Sequence, residues 1–359
     1  MNKLNIALVT QSLDTKSGSR APVELAKALS KNHKITIFAA GGSLSVKKNL
    51  ERQGLKVIFL NPIQLFINIL IGRFGAISFH GTFPYFVASR LTNVPILCTY
   101  YGTQFDAYLE RSFGNNSNLN RALNKLVNLI IYTKTKLILS LSTKRTSISK
   151  FTKSEARRLY GSLSDLIYLS GASNLVYSQK KDLIFTILAV SRFTPYKGFD
   201  GIINAFNKLK KTNTRLVIAG SSQNRRYLEL LQKKSNKQIK IIRNPSDQIL
   251  SKLYSKASCF VSFDRYLFFG MPICEAETFS LPILAYNAAA AGELVEHGKN
   301  GYLFISETEL TKYLNLLITK PKLRLRLGKQ AFIKSQNYTW KITAKNYEKL
   351  LFKLIRKNG

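Results

Sequence analysis

Short apolar runs alternate with helix-period segments along almost the whole chain, and that alternation leaves few folds open. A strand–helix–strand rhythm sustained over 359 residues builds parallel sheets covered by helices on both faces. In the first half the strand-like runs are residues 5–10, 34–39, 56–60, 76–79, 95–99, 137–141 and 165–169, and helical patterns fill the spaces, notably at 23–30 and 118–133. The pattern starts afresh at 185–190 and continues through 215–219, 239–242, 259–263, 282–285 and 301–304. Between the halves lies a polar, turn-rich join, Ser170-Gly171-Ala172-Ser173-Asn174 through Gln179-Lys180-Lys181-Asp182. Two doubly wound α/β domains are expected, over 1–172 and 173–339, facing each other across a cleft at the carboxyl ends of their sheets. Residues 340–359 follow as a helix with apolar positions at Ile342, Tyr347, Leu350 and Leu354.

Composition agrees with two globular cores, since hydrophobic residues make up 45% of the chain and the length exceeds one usual domain. No run reaches the ~18 uninterrupted apolar residues of a membrane-spanning helix; the nearest, Leu65 to Ile71, is broken by Asn68. The N-terminus leads into a strand pattern without a signal-peptide core. Cys98, Cys259 and Cys274 lie in apolar runs at no metal-ligand spacing and read as small buried hydrophobes in a reducing, cytoplasmic setting. No protein-held metal is expected, because no group of His, Cys or acids has ligand spacing.

Charge is the outlier: 55 Lys and Arg stand against 19 Asp and Glu, a formal +36. Ten basic residues between Lys208 and Lys240 share their region with one acid, Glu229, and Glu348 is the single acid between Lys320 and Lys357. Such a surface attracts polyanions. An anionic inner membrane leaflet is one partner of that kind, with the segment from Phe66 to Phe74 as a possible contact; a merely solvated basic surface is the other reading. A nucleic-acid partner would rest on charge alone, without a reading helix or an aromatic stacking platform.

Chemistry concentrates where strands end, which is where open α/β sheets build ligand sites. Arg192 and Lys197 follow the first strand of the second half, in Ser191-Arg192-Phe193-Thr194-Pro195-Tyr196-Lys197-Gly198. Two cations there can neutralise a diphosphate, above all one that gains charge as it leaves; an ordinary exposed basic pair is the plainer alternative. Gly270-Met271-Pro272 reads as a loop entering a helix, whose free N–H groups form an anion site. Glu275 then falls in the first turn, where it either accepts the hydroxyls of a ribose or complements the helix dipole. Gly18, after the first strand, permits close approach of a phosphate or sugar, or serves a plain turn. His80 ends the fourth strand of the first half, as a general base or as a hydrogen-bonded structural residue.

Together these segments resemble the family 4 glycosyltransferases, retaining enzymes of the GT-B fold with two Rossmann-like domains. The likeness is strongest from Ile187 to Phe304. Arg192 and Lys197 resemble the family's diphosphate-binding pair, and Phe269-Gly270-Met271-Pro272 with Glu275-Ala276 resembles the second half of its E-x7-E signature, whose last Glu holds the ribose. Gly292-Glu293 through Gly301 is similar to the segment after its Gly-Gly donor loop, which places Glu293 near sugar or phosphate. Thr99-Tyr100-Tyr101-Gly102-Thr103-Gln104 is similar to its T-x-H-G-T-D stretch on the acceptor side. The tail from Trp340 matches the terminal helix that crosses back onto the first domain. Five positions depart from the pattern: Leu267 replaces the first Glu, Tyr101 and Gln104 replace the His and Asp, and Ala289-Ala290 replaces the glycine pair. A donor loop built of alanines keeps its N–H groups provided φ stays negative.

The resemblance implies transfer of a sugar, with retention, from a nucleoside-diphosphate sugar to an acceptor hydroxyl on a glycan or lipid. The nucleotide sugar is a co-substrate, and no further cofactor is implied. The departures leave one alternative: a catalytically impaired relative that binds a nucleotide sugar or polyanion as a partner subunit.

Overall fold

The computed structural model describes residues 3–14, 20–103, 118–176, 184–209, 213–221 and 224–356, with side chains in the helix Asn118–Leu141 described from residue 124 onward. These residues divide into two compact units. Residues up to 103, residues 118–169 and the helix Trp340–Arg356 form the first, and residues 170–339 form the second. Residues 170–172 thus go with the second unit.

The first unit is a seven-stranded parallel sheet: β1 (Asn5–Thr10), β2 (Lys34–Ala39), β3 (Lys56–Phe59), β4 (Ala76–His80), β5 (Ile96–Tyr100), β6 (Lys144–Ser147) and β7 (Asp165–Leu166). Its spatial order is β3-β2-β1-β4-β5-β6-β7. β1 pairs with β2 on one side and β4 on the other, so Ile6 faces both Ile35 and Ala76. A central parallel strand is covered on both faces, which is why Ile6, Ala7, Leu8 and Val9 are all fully buried.

Two expected strands differ. Residues 137–141 are the last turn of the helix Asn118–Leu141, in which Leu139 is buried while Leu137 and Leu141 are exposed. A short apolar run reads the same in a strand and at a helix end. The strand lies just beyond, at β6, where the sequence Lys-Arg-Thr-Ser hides its pairing behind polar side chains. Their hydroxyls are satisfied inside the fold: Thr146 Oγ1 donates to Thr99 Oγ1 at 3.2 Å, and Ser147 Oγ shares a hydrogen bond with Ser164 Oγ at 2.6 Å. Residues 165–169 contribute only the short β7.

The closing helix belongs to the first unit. Tyr347 is fully buried, with its hydroxyl 2.7 Å from Thr99 Oγ1, and Thr343 Oγ1 donates to the Tyr168 carbonyl at 2.8 Å. Near the surface, Asn32 Nδ2 donates to the Glu348 carboxylate at 2.8 Å, and His33 Nε2 faces the same oxygen at 3.1 Å.

The second unit repeats the plan with six parallel strands: β8 (Phe185–Val190), β9 (Thr214–Gly220), β10 (Ile239–Arg243), β11 (Cys259–Ser262), β12 (Ile283–Tyr286) and β13 (Gly301–Phe304). Their order is β10-β9-β8-β11-β12-β13. Ile187, Ala189, Leu216, Ile218 and Val261 pack with residues of the helix Phe199–Asn207 into one core.

Candidate active site

In the second unit the chain leaves β8 toward β9 and β10, then returns on the other side of β8 to lay down β11. The strand order therefore reverses between β8 and β11, and the crevice beyond their carboxyl ends is where a doubly wound sheet takes its ligand. Two loops line it. The loop after β8 carries Arg192, a short 3-10 turn Pro195–Lys197 and Gly198; the loop after β11 carries Asp264 to Gly270.

Tyr196 joins the two cations. Its hydroxyl accepts a hydrogen bond from the Arg192 guanidinium at 2.9 Å, and Lys197 Nζ stands 5.0 Å from its ring centroid. The loops are also sewn to each other, since the Arg265 N–H donates to the Tyr196 carbonyl at 3.1 Å. Gly198 sits at φ 64°, and a Cβ there would lie 2.7 Å from the Phe263 carbonyl oxygen. Only glycine suits both that backbone and that approach. The Lys197 ammonium forms an ion pair with Asp264, the two side chains being 12% and 5% exposed. The second Asp264 oxygen accepts the Tyr266 N–H at 3.0 Å.

The helix Met271–Thr278 begins after Gly270 with Pro272 in its first turn. Its donor capacity is smaller than the sequence implies. Pro272 has no N–H, and those of Ile273 and Cys274 are directed to the Gly270 carbonyl at 2.9 and 3.3 Å. Glu275 is not in the first turn, because the helix opens at Met271 and places it fifth. There the carboxylate is only 5% exposed, and both oxygens have partners: the Ala172 N–H at 3.0 Å and the Tyr254 hydroxyl at 2.7 Å.

Leu267 is buried, and its carbonyl accepts the Ala290 N–H at 2.9 Å. That bond engages one of the two amides of the Ala289-Ala290 pair within the protein. The condition of negative φ is met by Ala290 at −83° but not by Ala289 at 52°. A left-handed alanine is strained by roughly 1 kcal/mol, so the loop keeps a glycine-type conformation without the glycine. Glu293 is half-buried beyond it, in the helix Ala291–Leu294, and its carbonyl accepts the Tyr338 hydroxyl at 3.1 Å.

In the first unit β4 and β5 bring His80 and Tyr101 together. His80 Nδ1 lies 2.8 Å from the Tyr101 hydroxyl, and its Nε2 lies 2.8 Å from Ser78 Oγ. Burial lowers the imidazole to about 3 and pushes the Tyr101 phenol well above its ordinary value. The ring is thus neutral, and both its nitrogens are engaged with hydroxyls of the first unit. Gly18 and Gln104 lie outside the described residues.

Among the described residues, three buried acids besides Glu24 escape sequence reasoning. Asp264 is one. Glu155 gathers the turn after β5: its Oε2 accepts the Tyr100 hydroxyl at 2.6 Å and the Thr103 N–H at 3.2 Å, flanking Tyr101. Glu277 is fully buried and takes Asn300 Nδ2 at 2.8 Å, while Asn300 Oδ1 accepts the Glu296 N–H at 2.7 Å. Burial raises the Glu277 carboxyl to about 8, so it pins the turn before β13 as a neutral acid near pH 7. None of the three sits in a recognisable motif. The one signal was their rarity in so basic a chain.

Residues 178–334 match the family described as glycosyl transferases group 1. An uncharacterized glycosyltransferase of Haemophilus influenzae is 30% identical over 158 residues, which cover 43% of this chain and 45% of that protein. The alpha-monoglucosyldiacylglycerol synthase of Acholeplasma laidlawii is 29% identical over 49% of this chain and 45% of its own length. The chain thus spans about half the length of the curated relatives it matches. In fold it is similar to Anabaena Alr3699/HepE in complex with UDP-glucose, with a TM-score of 0.79 at 17% identity over 98% of this chain and 100% of that one. Two doubly wound parallel sheets and the closing helix packed on the first lead to one assignment: the chain has the GT-B fold, and its second unit carries the stretch that matches the glycosyl transferases group 1 family.

Proposed function

We propose that this chain transfers a sugar from a nucleoside-diphosphate donor to an acceptor hydroxyl, with retention at the anomeric carbon. The observation that carries the reading is the pair of cations, Arg192 and Lys197, gathered around Tyr196 at the reversal point of the second sheet. As the bond between C1 and the diphosphate oxygen breaks, negative charge grows on the leaving group, and fixed cations stabilise that change more than the ground state. The new bond forms between C1 and the acceptor oxygen, and the acceptor proton passes to an oxygen of the departing diphosphate. This route needs no strong protein base, in keeping with a His80 whose nitrogens are both engaged. Glu275 would take the ribose hydroxyls, and Glu293 with the backbone around Gly270, Met271 and Pro272 would face sugar or phosphate. Likeness to the UDP-glucose complex supports a uridine nucleotide sugar as the first donor to try.

Calorimetric titration with UDP, GDP, ADP and their common sugar conjugates tests this directly. Selective binding of one nucleotide, lost in Lys197→Ala, is the expected result. Absence of binding by every nucleoside diphosphate would overturn the reading.

A membrane-borne acceptor is the second part of the proposal. No helix among the described residues is long and apolar enough to cross a bilayer. The first unit nevertheless exposes Ile63, Ile67, Leu70 and Ile71 on the helix Pro62–Gly72, and Leu126, Leu129 and Ile130 on Asn118–Leu141. Phe66 and Phe74 instead pack against the core, so the contact would be made by the isoleucines and leucines. Each Lys or Arg near an anionic leaflet adds roughly 1 kcal/mol, and the chain carries a formal +36. Similarity to the diacylglycerol glucoside synthase supports a lipid acceptor. Flotation should recover the protein with anionic vesicles and not with neutral ones; equal recovery would remove the membrane from the proposal.

A further inference from the structure

Lys197 is the residue on which the donor reading leans hardest, yet its ammonium is already paired with a carboxylate. Asp264 belongs to no motif of the sequence and comes from a different strand end. It follows β11 while Lys197 follows β8, so the ion pair bridges the two loops that line the crevice of the second unit. Everything around Asp264 fixes it there. The side chain is 5% exposed, one oxygen accepts the Tyr266 N–H at 3.0 Å, and the Arg265 N–H ties the same loop to the Tyr196 carbonyl at 3.1 Å. On the cation's side, Gly198 lets the two backbones approach and the Tyr196 ring stands beside Nζ at 5.0 Å. Two ammonium protons of Lys197 remain to serve a ligand. With the pair intact, however, Lys197 and Asp264 carry no net charge between them, and Arg192 is left as the uncompensated cation of the trio.

We infer that Asp264 is a built-in counter-anion of the diphosphate site: it positions Lys197 while the site is empty and loosens the site's hold on the diphosphate once that group has become product. The inference rests on the reading that Lys197 binds the donor diphosphate. Its physical logic is separable from the nucleotide. A carboxylate fixed beside the ammonium repels any polyphosphate that approaches it, and in a half-buried site the repulsion is weakly screened. An enzyme whose product is a nucleoside diphosphate gains turnover if that product leaves readily, and a chain with so large a cationic surplus has particular need of a local acid for that purpose.

The test compares the full chain with Asp264→Asn, Lys197→Ala and the double variant, by calorimetry with inorganic pyrophosphate and with UDP. Asparagine keeps an oxygen for the ammonium and removes the charge. Asp264→Asn should bind both ligands at least about tenfold tighter, with UDP leaving more slowly by a similar factor. The gain should vanish when Lys197→Ala is added, which a merely structural role would not produce. Equal or weaker pyrophosphate binding by a normally melting Asp264→Asn would overturn the inference, as would no pyrophosphate binding by either protein. Should that variant fail to fold, Asp264→Ser carries the same comparison; collapse of both would make Asp264 a structural anchor and end the proposal. UDP binding no tighter than pyrophosphate in the parent protein would instead sink the nucleotide reading, leaving the pyrophosphate comparison to judge Asp264.

Discussion

Arg192→Ala is expected to lower kcat for sugar transfer by about two to three orders of magnitude, the usual loss when one charge-stabilising donor is removed from a leaving-group site. The melting temperature should barely move. Arg192 is half-buried at the crevice, and its guanidinium donates to the hydroxyl of the buried Tyr196, a bond worth about 1 kcal/mol net. Lys197→Ala should be at least as damaging to turnover, but its interpretation is less direct. It strands Asp264, and breaking one side of a buried ion pair costs about 3–5 kcal/mol when the remaining charge finds no substitute. The Tyr266 N–H softens that loss without abolishing it. Arg192→Ala therefore isolates the chemistry, and the pair of variants separates a fall in rate from a fall in stability. Transfer by Arg192→Ala at near the parental rate, measured at saturating donor, would refute the assignment of the pair.

Gly220→Ala should unfold or severely weaken the second unit, by about 3 kcal/mol or more. A Cβ at this position would lie 1.6 Å from the Ser191 carbonyl oxygen and 2.7 Å from the carbonyl carbon, both backbone atoms that cannot swing aside. Relief would require parting β8 from β9 where the Ser191 N–H bonds the Ala219 carbonyl at 3.1 Å and the Phe193 N–H bonds the Ser221 carbonyl at 2.8 Å. Arg192 lies between those two bonds, so whatever folded protein remains should also bind nucleotide poorly. Gly292→Ala is the control. A Cβ there meets nothing within 4 Å, and helix propensity favours alanine by up to about 1 kcal/mol. Equal denaturant midpoints for the two variants would contradict the close approach at Gly220.

Much of this arrangement is legible from the chain itself, for a reason visible in its strands. Residues 5–10, 34–39 and 185–190 are strands at the bounds their side chains imply, because a parallel strand buried on both faces must be almost wholly apolar, and the edge strand 301–304 also keeps its expected bounds. The rule fails where its premise does. β6 pairs through a polar sequence whose buried hydroxyls bond those of Thr99 and Ser164, and the neighbouring apolar run at 137–141 is a helix end in which Leu139 is buried. For the proposed site, motif spacing singles out Arg192, Lys197 and Glu275, since each follows closely on a strand end or a helix start. It cannot find Asp264 or Glu155. Their partners are distant in sequence, Lys197 in one case and Tyr100 with Thr103 in the other, and only the sheet order brings them near. Ala289 carries a different lesson: the residue type forecasts negative φ, and the surrounding loop overrides it.

The closing helix sets an order of events during synthesis. The six strands of the second unit all lie within residues 170–339, so all are available as soon as that stretch has left the ribosome. The first unit begins earlier but cannot finish earlier, because the hydroxyls of Thr99 and Thr146 wait for Tyr347, and the Tyr168 carbonyl waits for Thr343. The half that starts first is completed last, and until the final helix docks, part of its sheet lacks its cover.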